Sequence, residues 1–130
     1  MCEIGVKMVK KILIVDDNPD VIFSVKSGLE ELAKDYTVIS AENGKKCLEI
    51  LKTEIPDLIL LDIMMPEMSG WKTFDKIKEN LNWNKIPIVF LTARTDNVAK
   101  NAGGFLGEAY IEKPFEITFL KDKIDEILKK

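Results

Sequence analysis

The chain has 130 residues, enough for one domain, and its 46% hydrophobic and 32% charged residues match a soluble packed core rather than a disordered chain. Its 19 Lys and Arg against 22 Asp and Glu leave a net charge of −3, which argues against a nucleic-acid binder held by phosphate neutralisation. There is no histidine. This excludes Ser-His-Asp triads, HExxH metalloproteases, His-ligated zinc and any phosphohistidine carried by this chain.

After Met1, residues 2–10 hold only Ile4, Val6, Met8 and Val9 as larger apolar side chains, and residues 1–10 read as an N-terminal extension without a signal-peptide core. The domain is expected to span 11–130. Lys11–Val15 reads as a buried strand. Asn18 then caps a helix whose first residue is Pro19 and whose apolar stripe is Ile22, Val25, Leu29 and Leu32. Tyr36–Ser40 is a second strand, and Gly44 opens a second helix that turns Cys47, Leu48 and Leu51 inward and closes before Pro56. Leu58–Leu61 is the most apolar strand, expected at the centre of a parallel sheet. Ser69-Gly70 starts a third helix carrying Trp71, Phe74, Ile77 and Leu81, and Ile86–Leu91 forms the fourth strand. Residues 94–107 suggest a short fourth helix that fails at Gly103-Gly104. Ala109–Ile111 is a brief fifth strand, and a closing helix from Phe115 aligns Leu120, Ile124, Ile127 and Leu128. This alternation predicts an α/β fold: a five-stranded parallel sheet, doubly wound in the flavodoxin-like manner, with helices on both faces. Cys2 and Cys47 form no CxxC pair and read as reduced thiols, and no apolar run is long enough to span a bilayer. A soluble, cytoplasmic protein is expected.

In such a sheet, ligands gather beyond the carboxyl ends of the strands. The first strand ends at Asp16-Asp17, the third at Asp62, the fourth at Thr92, and the fifth just before Lys113. Each residue alone has an ordinary explanation: a carboxylate suits a helix N-terminus, Thr is a strand former, and Lys is a surface residue. Together they place three carboxylates, a hydroxyl and an amine on one edge. Two unit charges 4 Å apart repel by about 4 kcal/mol at an effective dielectric near 20, so the cluster calls for a cation or raised pKa values. Oxygen donors without histidine or clustered cysteine select a hard ion, Mg²⁺ or Mn²⁺. With a lysine and a hydroxyl beside it, the site reads as one for phosphoryl transfer, in which an aspartate can itself be the acceptor.

Asp16-Asp17 after a hydrophobic strand, Pro56-Asp57-Leu-Ile-Leu-Leu-Asp62-Ile-Met-Met-Pro66-Glu-Met-Ser-Gly70, Leu91-Thr92-Ala93 and Tyr110-Ile-Glu-Lys113-Pro114-Phe115 together resemble the receiver domain of two-component response regulators. The resemblance runs from about Lys11 to the C-terminus. It implies that Asp62 is the phosphoacceptor and that Asp17, Asp62 and the Met64 backbone carbonyl hold Mg²⁺, with Asp16 acting through metal-bound water. Thr92 and Lys113 would contact the phosphoryl group, and Thr92 and Tyr110 would form the switch. Phosphorylation would then remodel the surface built from the fourth helix, fifth strand and closing helix. Met64 and Arg94 occupy positions that tune acyl-phosphate lifetime in the family.

The expectation is thus a stand-alone receiver rather than an enzyme, at most catalysing its own phosphorylation and dephosphorylation. Its donor would be a sensor histidine kinase or phosphotransfer protein and its output an unnamed protein target, with no role for nucleic acid or membrane. The alternative is a receiver-like interaction adaptor that is not phosphorylated. An aspartyl-phosphate hydrolase of the haloacid-dehalogenase type needs a second Asp where Met64 stands. An FMN carrier needs a phosphate-binding loop where the chain has Asp16-Asp17-Asn18-Pro19.

Overall fold

The computed structural model describes residues 9–92 and 109–128. Five strands, β1 (Lys10–Val15), β2 (Tyr36–Ala41), β3 (Leu58–Asp62), β4 (Ile88–Thr92) and β5 (Ala109–Glu112), form one parallel sheet in the order β2-β1-β3-β4-β5. Four helices are found among the described residues: α1 (Pro19–Leu32), α2 (Gly44–Leu51), α3 (Gly70–Glu79) and α4 (Ile117–Leu128). The order is the flavodoxin-like one and reverses between β1 and β3.

Period-two alternation in the strands divides the core. Leu13, Val15, Ile59, Leu61, Ile88 and Phe90 face Cys47, Leu51, Phe74 and Ile77 of α2 and α3. Ile12, Ile14, Leu58, Leu60, Val89 and Leu91 face Val25, Leu29, Leu120 and Ile124 of α1 and α4. All residues of β3 and β4 are buried, as strands covered on both faces must be. No described helix is long and apolar enough to cross a membrane. Cys47 is a packing residue, and burial pushes its thiol up to about 12.

Asn18 and Pro19 start α1 as the sequence predicts: the Asn18 side chain accepts from Asp20 N–H at 2.9 Å. Strands β2 to β5 each run one residue further than expected, and four other boundaries differ. Lys10, read as part of the extension, is the first residue of β1, where its N–H donates to Asp35 O at 2.8 Å. The third helix stops at Glu79, because Asn80 folds its side chain over Asn82 N–H at 2.7 Å and competes with the helical pattern. Leu81 therefore leaves the stripe and is 88% exposed. The fourth strand begins at Ile88, two residues late, since Pro87 offers no N–H and Ile86 closes a turn on Trp83 O. The closing helix starts at Ile117, after Pro114, with Leu120 N–H donating to Glu116 O. The predicted helix over 94–107 and the tuning position Arg94 lie outside the described residues.

Candidate phosphoryl-transfer site

Ends of neighbouring strands bring the predicted residues together. Asp16 follows β1, Asp62 ends β3, Thr92 ends β4 and Lys113 follows β5. Asp62 pairs in register with Leu91 across β3 and β4, so Thr92 stands one residue beyond it on the adjoining strand. Lys113 N–H donates to Thr92 O at 2.7 Å, which ties the lysine's backbone to the β4 end.

The carboxylates of Asp16, Asp17 and Asp62 each offer an oxygen within 4.8 Å of the others. Their surroundings differ. Asp16 is fully buried and well partnered: Lys113 Nζ donates to Oδ2 at 2.8 Å and Asn18 N–H to Oδ1 at 2.9 Å. Among the described residues Asp62, also buried, has only long contacts, with Lys113 Nζ and Met64 N–H, each at 3.4 Å. Burial, reinforced by the charges of Asp16 and Asp17 and opposed by Lys113 and Met64 N–H, pushes its carboxyl up to about 6. Asp17 is exposed and faces solvent at the mouth of the cluster. Burial works against the charge on Lys113, but the hydrogen bond and charge of Asp16, with the charge of Asp62, outweigh it and hold the ammonium above its ordinary value.

Three close carboxylates against one ammonium leave negative charge on the buried edge. A hard divalent cation with oxygen preference fits this donor set and would relieve the repulsion from Asp16 and Asp17 that adds to the effect of burial on Asp62. Thr92 is fully buried at the edge. Tyr110 pairs in register with Phe90 and, like Trp71, packs partly buried against the cluster that includes Phe90. The Met64 side chain is exposed, while its N–H points at Asp62.

The loop after Asp62 is braced by contacts that no periodic pattern announces. Glu67 takes a positive φ of 69°, with Met68 N–H donating to Pro66 O at 2.8 Å. Gly70 N–H donates to Ile63 O at 2.8 Å, and a Cβ on Gly70 would lie 2.3 Å from Asp62 O. The glycine is therefore a close-approach residue, and only its missing side chain lets α3 abut the end of β3. Gly70→Ala is expected to destabilise the fold by about 2 kcal/mol through backbone displacement. It should also slow phosphorylation from phosphoramidate. Urea unfolding and a labelling time course check both effects, and unchanged values would contradict the assignment.

Comparison with known proteins decides the family. The pattern described as the response regulator receiver domain matches residues 12–125. The chain belongs to the response regulator receiver family. A Vibrio cholerae protein named as a "Probable cyclic di-GMP phosphodiesterase" is 43% identical over 87% of this chain and 25% of its own length. The transcriptional regulatory protein CrdR of Helicobacter pylori is 38% identical over 90% of this chain and 54% of its own length. The chain thus spans a quarter to about half the length of these curated relatives. The crystal structure of a CheY-like receiver domain protein from Methanospirillum hungatei superposes with a TM-score of 0.81 at 35% identity, covering 92% of this chain and 94% of that one. Receiver domains are signalling switches of two-component systems that pair with histidine kinases or phosphotransfer proteins and bind Mg²⁺ at an acidic pocket.

Proposed function

We propose that Asp62 accepts a phosphoryl group from the phosphohistidine of a sensor kinase or phosphotransfer protein, in a Mg²⁺-dependent reaction in the cytoplasm that switches binding to a protein target. The observation that carries this reading is the poorly compensated, buried Asp62 carboxylate held beside Lys113 and two further carboxylates.

The reaction follows from the side chains. An Oδ atom of Asp62 attacks the phosphorus, the P–N bond to the donor imidazole breaks, and the electron pair leaves with the imidazole. Lys113 lies close enough to Asp62 to neutralise charge that grows on the phosphoryl oxygens. The Thr92 hydroxyl, at the end of the neighbouring strand, donates to another of these oxygens. Asp16 holds the Lys113 ammonium at 2.8 Å and so positions the cation before the donor arrives. Asp16, Asp17, Asp62 and the Met64 backbone carbonyl would hold Mg²⁺, with Mn²⁺ as a substitute, and the ion would supply charge neutralisation and a template for phosphoryl oxygens.

Once phosphorylated, Asp62 carries more negative charge and new acceptor oxygens. Thr92 and Tyr110 respond as the switch: the hydroxyl moves towards the phosphoryl group, and the partly buried ring turns into the space behind it. Moving a population from mostly inactive to mostly active requires about 5 kcal/mol of differential stabilisation. Incubation with phosphoramidate and Mg²⁺ is expected to add one phosphoryl group by intact mass, and none in Asp62→Asn or in excess chelator. Equal labelling of Asp62→Asn would overturn the assignment.

A further inference from the structure

Strand β2 forms one edge of the sheet. A bare strand edge offers backbone N–H and C=O groups that template pairing with another chain. In the ladder with β1, Lys10 N–H donates to Asp35 O and Asp16 N–H to Ala41 O. Alternation along a parallel strand then turns the polar groups of Thr37, Ile39 and Ala41 towards β1, and those of Tyr36, Val38 and Ser40 away from it.

Val38 is the middle residue of the outward set, and α1 occupies both of its backbone groups. Lys26 Nζ donates to Val38 O at 2.9 Å, and Glu30 Oε2 accepts from Val38 N–H at 2.8 Å. The two side chains, one helical turn apart, meet at 3.2 Å. Next to them, Tyr36 N–H donates to Ala33 O at 3.0 Å. An ordinary i,i+4 pair on a helix surface adds only about 0.3–0.5 kcal/mol and has no reason to reach a strand. Here the pair supplies one donor and one acceptor to a single outward residue, as a neighbouring strand would. The Val38 N–H bond holds the Glu30 carboxyl below its ordinary range, with burial opposing and Lys26 assisting.

We infer that Lys26 and Glu30 lock the β2 edge and prevent a second copy of this chain from adding its own β2 there. The excluded assembly is a two-fold pair of antiparallel β2 strands, the isologous arrangement that an edge-to-edge contact favours. The lock is independent of the chemistry of Asp62.

The test uses the full chain with Lys26→Ala and Glu30→Ala combined, since alanine preserves the helix. Sedimentation velocity across a concentration series gives the self-association constant, and amide exchange reads Val38. In the double variant the Val38 amide should exchange about tenfold faster at low concentration. Self-association should tighten about tenfold over wild type, with Val38 protection returning as concentration rises. Glu30→Gln, which keeps an acceptor for Val38 N–H, should behave as wild type. An unchanged association constant overturns the lock, whatever the exchange rate, and so does Glu30→Gln that associates like the double variant. If the double variant does not fold, Glu30→Ala alone, which frees the Val38 N–H, is read by the same criteria.

Discussion

Asp62→Asn is expected to stabilise the metal-free protein at neutral pH, although it removes the group on which the proposed function depends. The buried carboxyl is pushed from the ordinary 3.8 up to about 6 by burial and by Asp16, so the folded state holds this proton more tightly than the unfolded chain. Between those two values the native protein binds more protons, and stability falls as pH rises through the window. Above about pH 6 the full penalty is present. The gap between the two values corresponds to about 2–3 kcal/mol at pH 7.5, or a melting temperature about 6–10 °C higher in the variant. Below about pH 4 the two proteins should converge. Thermal unfolding of both across pH 4–8 in chelator checks this. A variant no more stable than wild type at pH 7.5 would mean that Asp62 is compensated by something other than Lys113.

Lys113→Met has the opposite sign. The ammonium is the 2.8 Å partner of the fully buried Asp16 and also faces Asp62. Removing it leaves two buried carboxylates without their cation, and breaking such a pair from one side costs about 3 kcal/mol. Because the folded state raises the lysine's pKa, this contribution is fully present below its ordinary value of 10.5 and is lost only as pH rises beyond it. At pH 7 the whole loss should appear in urea unfolding. Mg²⁺ should recover part of it, since a divalent cation can neutralise the same carboxylates. A loss below about 1 kcal/mol would show that Asp16 is satisfied by Asn18 N–H alone.

The parallel sheet and its central third strand were legible because apolar runs of four to six residues alternate with helical periodicity, and four of the five strands run into a polar residue. That same regularity exposed Asp62, Thr92 and Lys113. It could not distinguish Asp16 from Asp17. Both follow the first strand, and only the folded chain shows the first buried against Lys113 and the second open to solvent. Nor could periodicity stop the third helix before Leu81, because the stop depends on the Asn80 side chain capturing a backbone N–H two residues on. The close approach of Gly44 to Thr73, where a Cβ would meet Oγ1 at 2.3 Å, arises from the packing of α2 on α3, which no local pattern encodes. The Lys26–Glu30 clamp on Val38 reads in sequence as an ordinary helix-surface pair. Its meaning comes from β2 being an edge.

Whether Asp62 becomes an acyl phosphate is tested most directly by borohydride trapping. Treatment of the phosphoramidate-labelled protein with borohydride reduces an aspartyl phosphate to homoserine, which peptide mass spectrometry locates by residue. The predicted result is homoserine at position 62 only, formed with Mg²⁺ and absent in chelator. Homoserine at Asp16, Asp17 or another carboxylate while Asp62 stays intact would contradict it.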